Sequence, residues 1–129
     1  MTDRGTVMAW VAAYERAWRG GDRAAVRTLF TEDARYARSP YDDALAGHAA
    51  IEGFWLDDEG SEFTMTAAPV AVEGDTAVVR VEVHYTAPQD QEYRDLWLLR
   101  FAPDGRVADF EEWAYWPGKA YSASQEDGD

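Results

Sequence analysis

A chain of 129 residues, 47% apolar and 14% aromatic, has room for one domain with a real core and not for two. Its net charge of −13 repels phosphate backbones and anionic bilayers, which excludes nucleic acid and membrane as expected partners. It has no cysteine and only two histidines, which excludes disulfides, zinc–thiolate sites and cysteine nucleophiles, so no metal and no cofactor is expected.

Val7, Trp10, Val11, Tyr14, Ala17 and Trp18 recur at helical spacing and predict a first helix, with Thr2 or Asp3 as its cap and Gly20-Gly21 as its end. Asp22 is expected to cap a short second helix with Ala25, Val26, Leu29 and Phe30 on its inner side. Residues 34–37 read as a short strand, and Ser39-Pro40-Tyr41-Asp42-Asp43 as a turn-rich loop. Gly47 leads into a third helix carrying Ile51, Phe54 and Trp55.

From Glu62 the period changes to two. Residues 62–73 predict a strand, bulged near Pro69, and Gly74-Asp75 a tight turn. Residues 76–87 alternate, with Ala77, Val79, Val81, Val83 and Tyr85 on a core face and Thr76, Val78, Arg80, Glu82, His84 and Thr86 on the other. Residues 93–101 are apolar on both faces and predict a central strand. Pro103-Asp104-Gly105 turns the chain, and residues 107–116 form the last strand. The order implies an α+β fold: three N-terminal helices over one face of a curved, mainly antiparallel sheet, enclosing a pocket.

Residues 1–118 are read as a single domain. Residues 119–129, polar and acidic, are read as a flexible tail. The outer sheet face suggests a homodimer. No apolar run approaches the ~18 residues of a membrane span, and the N-terminus shows no signal-peptide pattern, so the expected compartment is the cytoplasm.

The residues Tyr14, Gly21-Asp22, Leu29-Phe30, Asp33-Ala34, Gly47 and Ala50-Ile51, followed by Gly105-Arg106-Val107 and Glu112-Trp113, resemble the nuclear-transport-factor-2-like superfamily, and within it the SnoaL-like group. That group includes polyketide cyclases; ketosteroid isomerases and limonene epoxide hydrolases are more distant relatives. The resemblance covers about residues 5 to 117 and implies a cone, or cystatin-like roll, with a blind pocket at its open end.

The resemblance also implies site residues. Tyr14 falls on the helical tyrosine of the ketosteroid isomerases, which donates to an oxyanion; the alternative is a helix-packing ring. The base position of those isomerases falls near Arg38-Ser39 and their protonated acid near Trp97, so the chain departs from that activity. Cyclases and epoxide hydrolases of this fold carry an inward acid on the last strand where Glu112 stands.

Alternation puts Glu112 on one face with Phe110 and Ala114. A carboxylate among rings loses solvation, its pKa rises, and it becomes an acid or base near neutrality; the alternative is a structural carboxylate paired with arginine. Asp95 shares a face with Trp97, Leu99 and Phe101 and could pair with Glu112, while alternation points Arg94 away. Tyr36 and Arg38 border the pocket mouth. Arg38 could hold a ligand carboxylate or enolate, or pair with Asp42 or Asp43. Trp18, Phe54 and Trp55 from the helices, Val81 and Val83 from the core strand, and Trp97 and Phe110 are expected to line the pocket. His48, at a helix start, and His84, on the polar sheet face, are expected to be structural or exposed. The acidic runs Asp42-Asp43 and Asp57-Asp58-Glu59 lack calcium-loop spacing.

Two functions fit. One is a cofactor-independent acid–base enzyme of isomerase, cyclase or epoxide-hydrolase type, acting on a hydrophobic small molecule through Glu112, Asp95 and Tyr14. The other is a non-catalytic ligand-binding or dimerisation module.

Overall fold

Asp3 opens the first helix. Its side chain accepts from the Thr6 backbone N–H at 2.8 Å, satisfying one of the donors that a helix start leaves without a partner. The computed structural model describes residues 2–54, 62–87 and 89–118. The helix, α1, runs Arg4–Gly20 and ends on Gly21 at φ 64, the left-handed geometry that glycine adopts without strain. The Asp22 N–H reaches the Ala17 carbonyl and the Gly21 N–H that of Trp18, closing a Schellman motif.

The second helix differs from expectation. Residues 23–25 form a 3₁₀ turn, and α2 is one turn, Val26–Leu29. The Asp22 side chain makes no capping bond. Phe30 is already extended and begins β1, Phe30–Ala37, which is longer than the predicted strand. A two-residue strand absent from the sequence reading, β2, Leu45–Ala46, pairs antiparallel with it. Then follow α3, His48–Phe54, and the strands β3 Glu62–Glu73, β4 Thr76–Ala87, β5 Gln91–Phe101 and β6 Val107–Tyr115. β5 starts two residues before the predicted strand, and β6 stops before Trp116.

The sheet order is β2-β1-β6-β5-β4-β3. β3 to β6 form an antiparallel meander, and β1 pairs parallel with β6. The register of β3 against β4 slips between Pro69 and Ala71, where proline cannot donate to the ladder. The result is a curved, mainly antiparallel sheet packed on three helices, as predicted.

The concave face holds the core. Val79, Val81, Leu99, Val107 and Phe110 from the strands meet Val7, Trp10, Val11 and Tyr14 of α1 and Ile51 of α3. Trp10 donates its indole N–H to the Leu29 carbonyl at 2.9 Å, which fixes α1 against the start of β1. His48, at the start of α3, contacts the same segment, its Nε2 2.8 Å from the Phe30 carbonyl.

β5 is interior to the sheet, as its composition suggested, but only its inner face is buried. Asp95, Trp97, Leu99 and Phe101 point inward, whereas Leu96 is 36% exposed on the convex face. There Leu96 stands opposite Trp113, itself 39% exposed, and Trp113 donates to Glu111 at 2.6 Å. Trp116, 40% exposed, packs edge-on to Tyr93 with ring centres 5.6 Å apart. Trp55, the run Asp57-Asp58-Glu59 and the predicted tail 119–129 fall outside the described residues.

Candidate active site

The hairpin joining β5 and β6 sets the site. Its register puts Trp97 directly opposite Glu112 and Leu99 opposite Phe110. All four side chains belong to one face, because side chains alternate along a strand. Asp95, two residues before Trp97, faces the same way and sits diagonal to Glu112, within reach of a long side chain.

The two carboxyls are neighbours, each bearing on the charge of the other. Burial pushes Glu112 up to about 9, and the hydrogen bond and negative charge of Asp95 push the same way; Trp97 and the Arg38 charge oppose them. Asp95 is 6% exposed, and burial raises it above its ordinary value while Glu112 and Trp97 pull it down. The pair therefore holds a proton at neutrality, as two neighbouring buried carboxyls cannot both ionise cheaply. The Trp97 indole N–H is close enough to favour the charged form of both acids without reaching hydrogen-bond geometry to either. Its Nε1 and Asp95 Oδ1 are buried with no hydrogen-bond partner among the described residues.

A cage of rings surrounds the pair. Tyr36 stacks on Phe110 with centres 4.4 Å apart, Trp97 packs 5.1 Å from Phe110, and Tyr14 lies 4.8 Å from Trp97. The hydroxyls of Tyr14 and Tyr36 meet at 3.0 Å. Burial first, then the neighbouring Tyr14 and Glu112, hold the Tyr36 phenol well above its ordinary value, so it stays a proton donor across the physiological range. β1 supplies Tyr36 and α1 supplies Tyr14, so the parallel β1–β6 pairing brings the two hydroxyls to the acid strand.

The remaining expected residues fall in three places. Val81 and Val83 are buried in the core face of β4, forming part of the floor. Phe54, half-buried, packs 5.7 Å from Tyr36, and the Arg38 guanidinium lies over the Phe54 ring at 4.7 Å. A hollow of about 410 Å³ opens at this end, lined by Arg38, Asp42, Asp43, Leu45 and Phe54. Trp18 sits at the other end, 4.4 Å from Phe63 and 6.1 Å from Tyr14. Arg94 points away from the acids, with its Nε 3.5 Å from Glu92 on the surface. His84 is exposed beside Asp90.

The sequence reading missed two relationships. Tyr36 was expected as a ligand-binding residue at the border of the pocket mouth, yet it is buried in the core with its hydroxyl against that of Tyr14. Trp97 was expected as a lining ring too, yet its N–H bears on both acids. The turn at Pro103-Asp104-Gly105 was the available signal for the second, since the hairpin it closes sets Trp97 against Glu112.

A curved sheet closed over three helices, with an acid pair held among aromatic rings inside it, defines an α+β roll of the nuclear-transport-factor-2-like type. The chain belongs to the SnoaL-like domain family, whose model matches residues 11–110. No curated protein matches it in sequence. Among solved structures, the epoxide hydrolase/cyclase-like enzyme SalBIII, described in pyran ring formation in the polyether salinomycin, is 21% identical over 92% of this chain and 95% of its own, with a TM-score of 0.69. A Mycobacterium tuberculosis protein in complex with estradiol-17beta-hemisuccinate is 14% identical over 84% of this chain and 92% of its own, with a TM-score of 0.68. A ketosteroid isomerase-like protein from Erwinia carotovora atroseptica is 21% identical over 88% of this chain and 97% of its own, with a TM-score of 0.63. At these identities the likeness establishes the fold.

Proposed function

We propose that this protein is a cofactor-independent acid–base enzyme acting on a hydrophobic small molecule that bears a carbonyl or an epoxide, in an isomerisation, cyclisation or hydration. The observation that carries the reading is the neighbouring carboxyls of Asp95 and Glu112 on one face of the β5–β6 hairpin with Trp97 and Phe110. Glu112 is the acid: it holds a proton at neutral pH and gives it to an oxygen of the ligand as charge develops there. Asp95 is the ionised partner, able to take up a proton as the ligand or a water loses one, so the pair is returned to its starting count when the proton passes back to Glu112. The paired hydroxyls of Tyr14 and Tyr36 are donors for an oxyanion at the same wall. Likeness in fold to a cyclase and to a steroid-bound protein agrees with such a ligand and does not by itself assign one.

The experiment is a screen of flat polyketide, steroid and terpenoid-epoxide compounds by quenching of tryptophan fluorescence, followed by turnover assays on those that bind. Glu112→Gln should bind the same compounds and fail to convert them. Unchanged turnover in that variant removes Glu112 from the chemistry.

A second reading, a non-catalytic ligand-binding or dimerisation module, draws on the convex face. Leu96, Trp113 and Tyr115 are 36%, 39% and 46% exposed there, and a second copy packed on that face would cover them. A homodimer through this face is compatible with either function, and the cytoplasm is the setting proposed for both.

A further inference from the structure

Arg38 follows the end of β1 at the mouth of the interior. Arg38 is exposed, and its guanidinium rests over the Phe54 ring. Asp42 and Asp43 line the same hollow, yet among the described residues no carboxylate comes within ion-pair distance of Arg38. The contrast with other arginines is clear: Arg19, Arg80, Arg100 and Arg106 each hold a carboxylate at 2.9 Å or less. The Arg38 charge also reaches inward, since it favours the ionised forms of Glu112 and Tyr36. A cation backed by a ring and lining a hollow with Leu45 and Phe54 suits a molecule with one charged end.

We propose that Arg38 recognises a carboxylate on the ligand, so that the molecule taken in is an apolar monocarboxylate: its body against Phe54 and Leu45, its carboxylate on the guanidinium at the mouth. The proposal deepens the reading of this hollow as a small-molecule site and rests on it. A guanidinium offers a fork of N–H donors that matches a carboxylate with two parallel bonds. The charged end stays where the site opens to water and desolvation costs least. Asp42 and Asp43 narrow the class further. A phosphate dianion would meet two negative charges across the same hollow, and a single carboxylate meets the least repulsion.

The test uses the whole chain and two matched probes, 2-naphthoate and 2-naphthamide, titrated by calorimetry. The wild-type protein should prefer the carboxylate. In Arg38→Met that preference should fall about tenfold, with the affinity for the amide little changed, and Arg38→Lys should recover part of it. The thermal midpoint of each variant checks that the fold is retained. An equal ratio of the two affinities in wild type and Arg38→Met overturns the proposal, as does the failure of wild type to bind either probe. Glu112→Gln separates this inference from the catalytic reading: it should keep the preference for naphthoate. If turnover survives in Glu112→Gln while Arg38→Met loses the preference, the acid–base reading falls and carboxylate recognition stands.

Discussion

Glu112 on β6 stands diagonal to Asp95 on β5 on the concave face, and burial raises both carboxyls, so that the pair holds a proton at neutral pH. Removing the proton without removing the shape is the direct test. Glu112→Gln should lower turnover of any converted ligand by about 100-fold or more, the usual scale of a general acid, with ligand affinity within a few-fold of wild type. Steady-state kinetics and calorimetry on the same preparation check both halves.

The same pair predicts how stability depends on pH. Glu112 titrates near 4.5 when unfolded and at about 9 when folded. Between those values the folded protein binds more protons than the unfolded chain, so the pair makes stability fall as pH rises, with the full cost reached above about 9. Asp95, also raised, adds the same sign at the acid end of the window. Urea unfolding at several pH values should show this decline, and Glu112→Gln should flatten it. Activity that needs the Glu112 proton should fall as pH passes about 9.

Tyr36→Phe deletes one hydroxyl of the Tyr14–Tyr36 pair and keeps the stack on Phe110. The expected loss of stability is about 1 kcal/mol, the net worth of one buried hydrogen bond. If the pair serves an oxyanion, turnover should drop by about tenfold or more as well. Chemical denaturation and kinetics distinguish a structural bond from one that serves the reaction.

Gly21 takes a backbone conformation at φ 64 to end α1, and a Cβ there would meet no atom within 4 Å. The cost of Gly21→Ala is therefore conformational and not steric crowding with neighbours, about 1 kcal/mol. A lowered denaturation midpoint with an unchanged denaturant slope is the expected result.

If the wild-type protein is a homodimer through the convex face, as proposed, Leu96→Lys together with Trp113→Lys should convert it to a monomer in light scattering, since both exposed apolar side chains would be replaced by charge. A molecular mass that is dimeric in both proteins removes this face from the interface.

The meander was the most legible part of the chain. Strict alternation in β4 sorted core from surface residue by residue, and Pro69, Gly74-Asp75 and Pro103-Asp104-Gly105 marked the slip and the turns through backbone chemistry that is local. The candidate acids were legible for the same reason: Asp95 and Glu112 each fall on the face that carries buried rings. What depends on distant pairing was harder to read. Leu29-Phe30 is apolar throughout, so nothing local says where α2 stops and β1 starts; the parallel partner in β6 decides it. β2 is only two residues long and exists because β1 offers it an edge. Leu96 and Leu98 made β5 look buried on both faces, whereas apolar residues also occur on an uncovered face. Side-chain direction beyond the face, as in the Trp97 indole and the Tyr36 hydroxyl, is set by packing with residues from three other elements.

The parallel ladder between β1 and β6 joins Phe30 to Val107 and Tyr36 to Phe110. A chain emerging from the ribosome can build the β3–β4 and β4–β5 hairpins as it grows, but its first strand waits for the final one. Such a long-range closure slows folding and leaves an apolar helix face and a bare strand edge exposed until β6 has been made. The proposed ligand site would thus take shape only in the last step, when β1 meets β6.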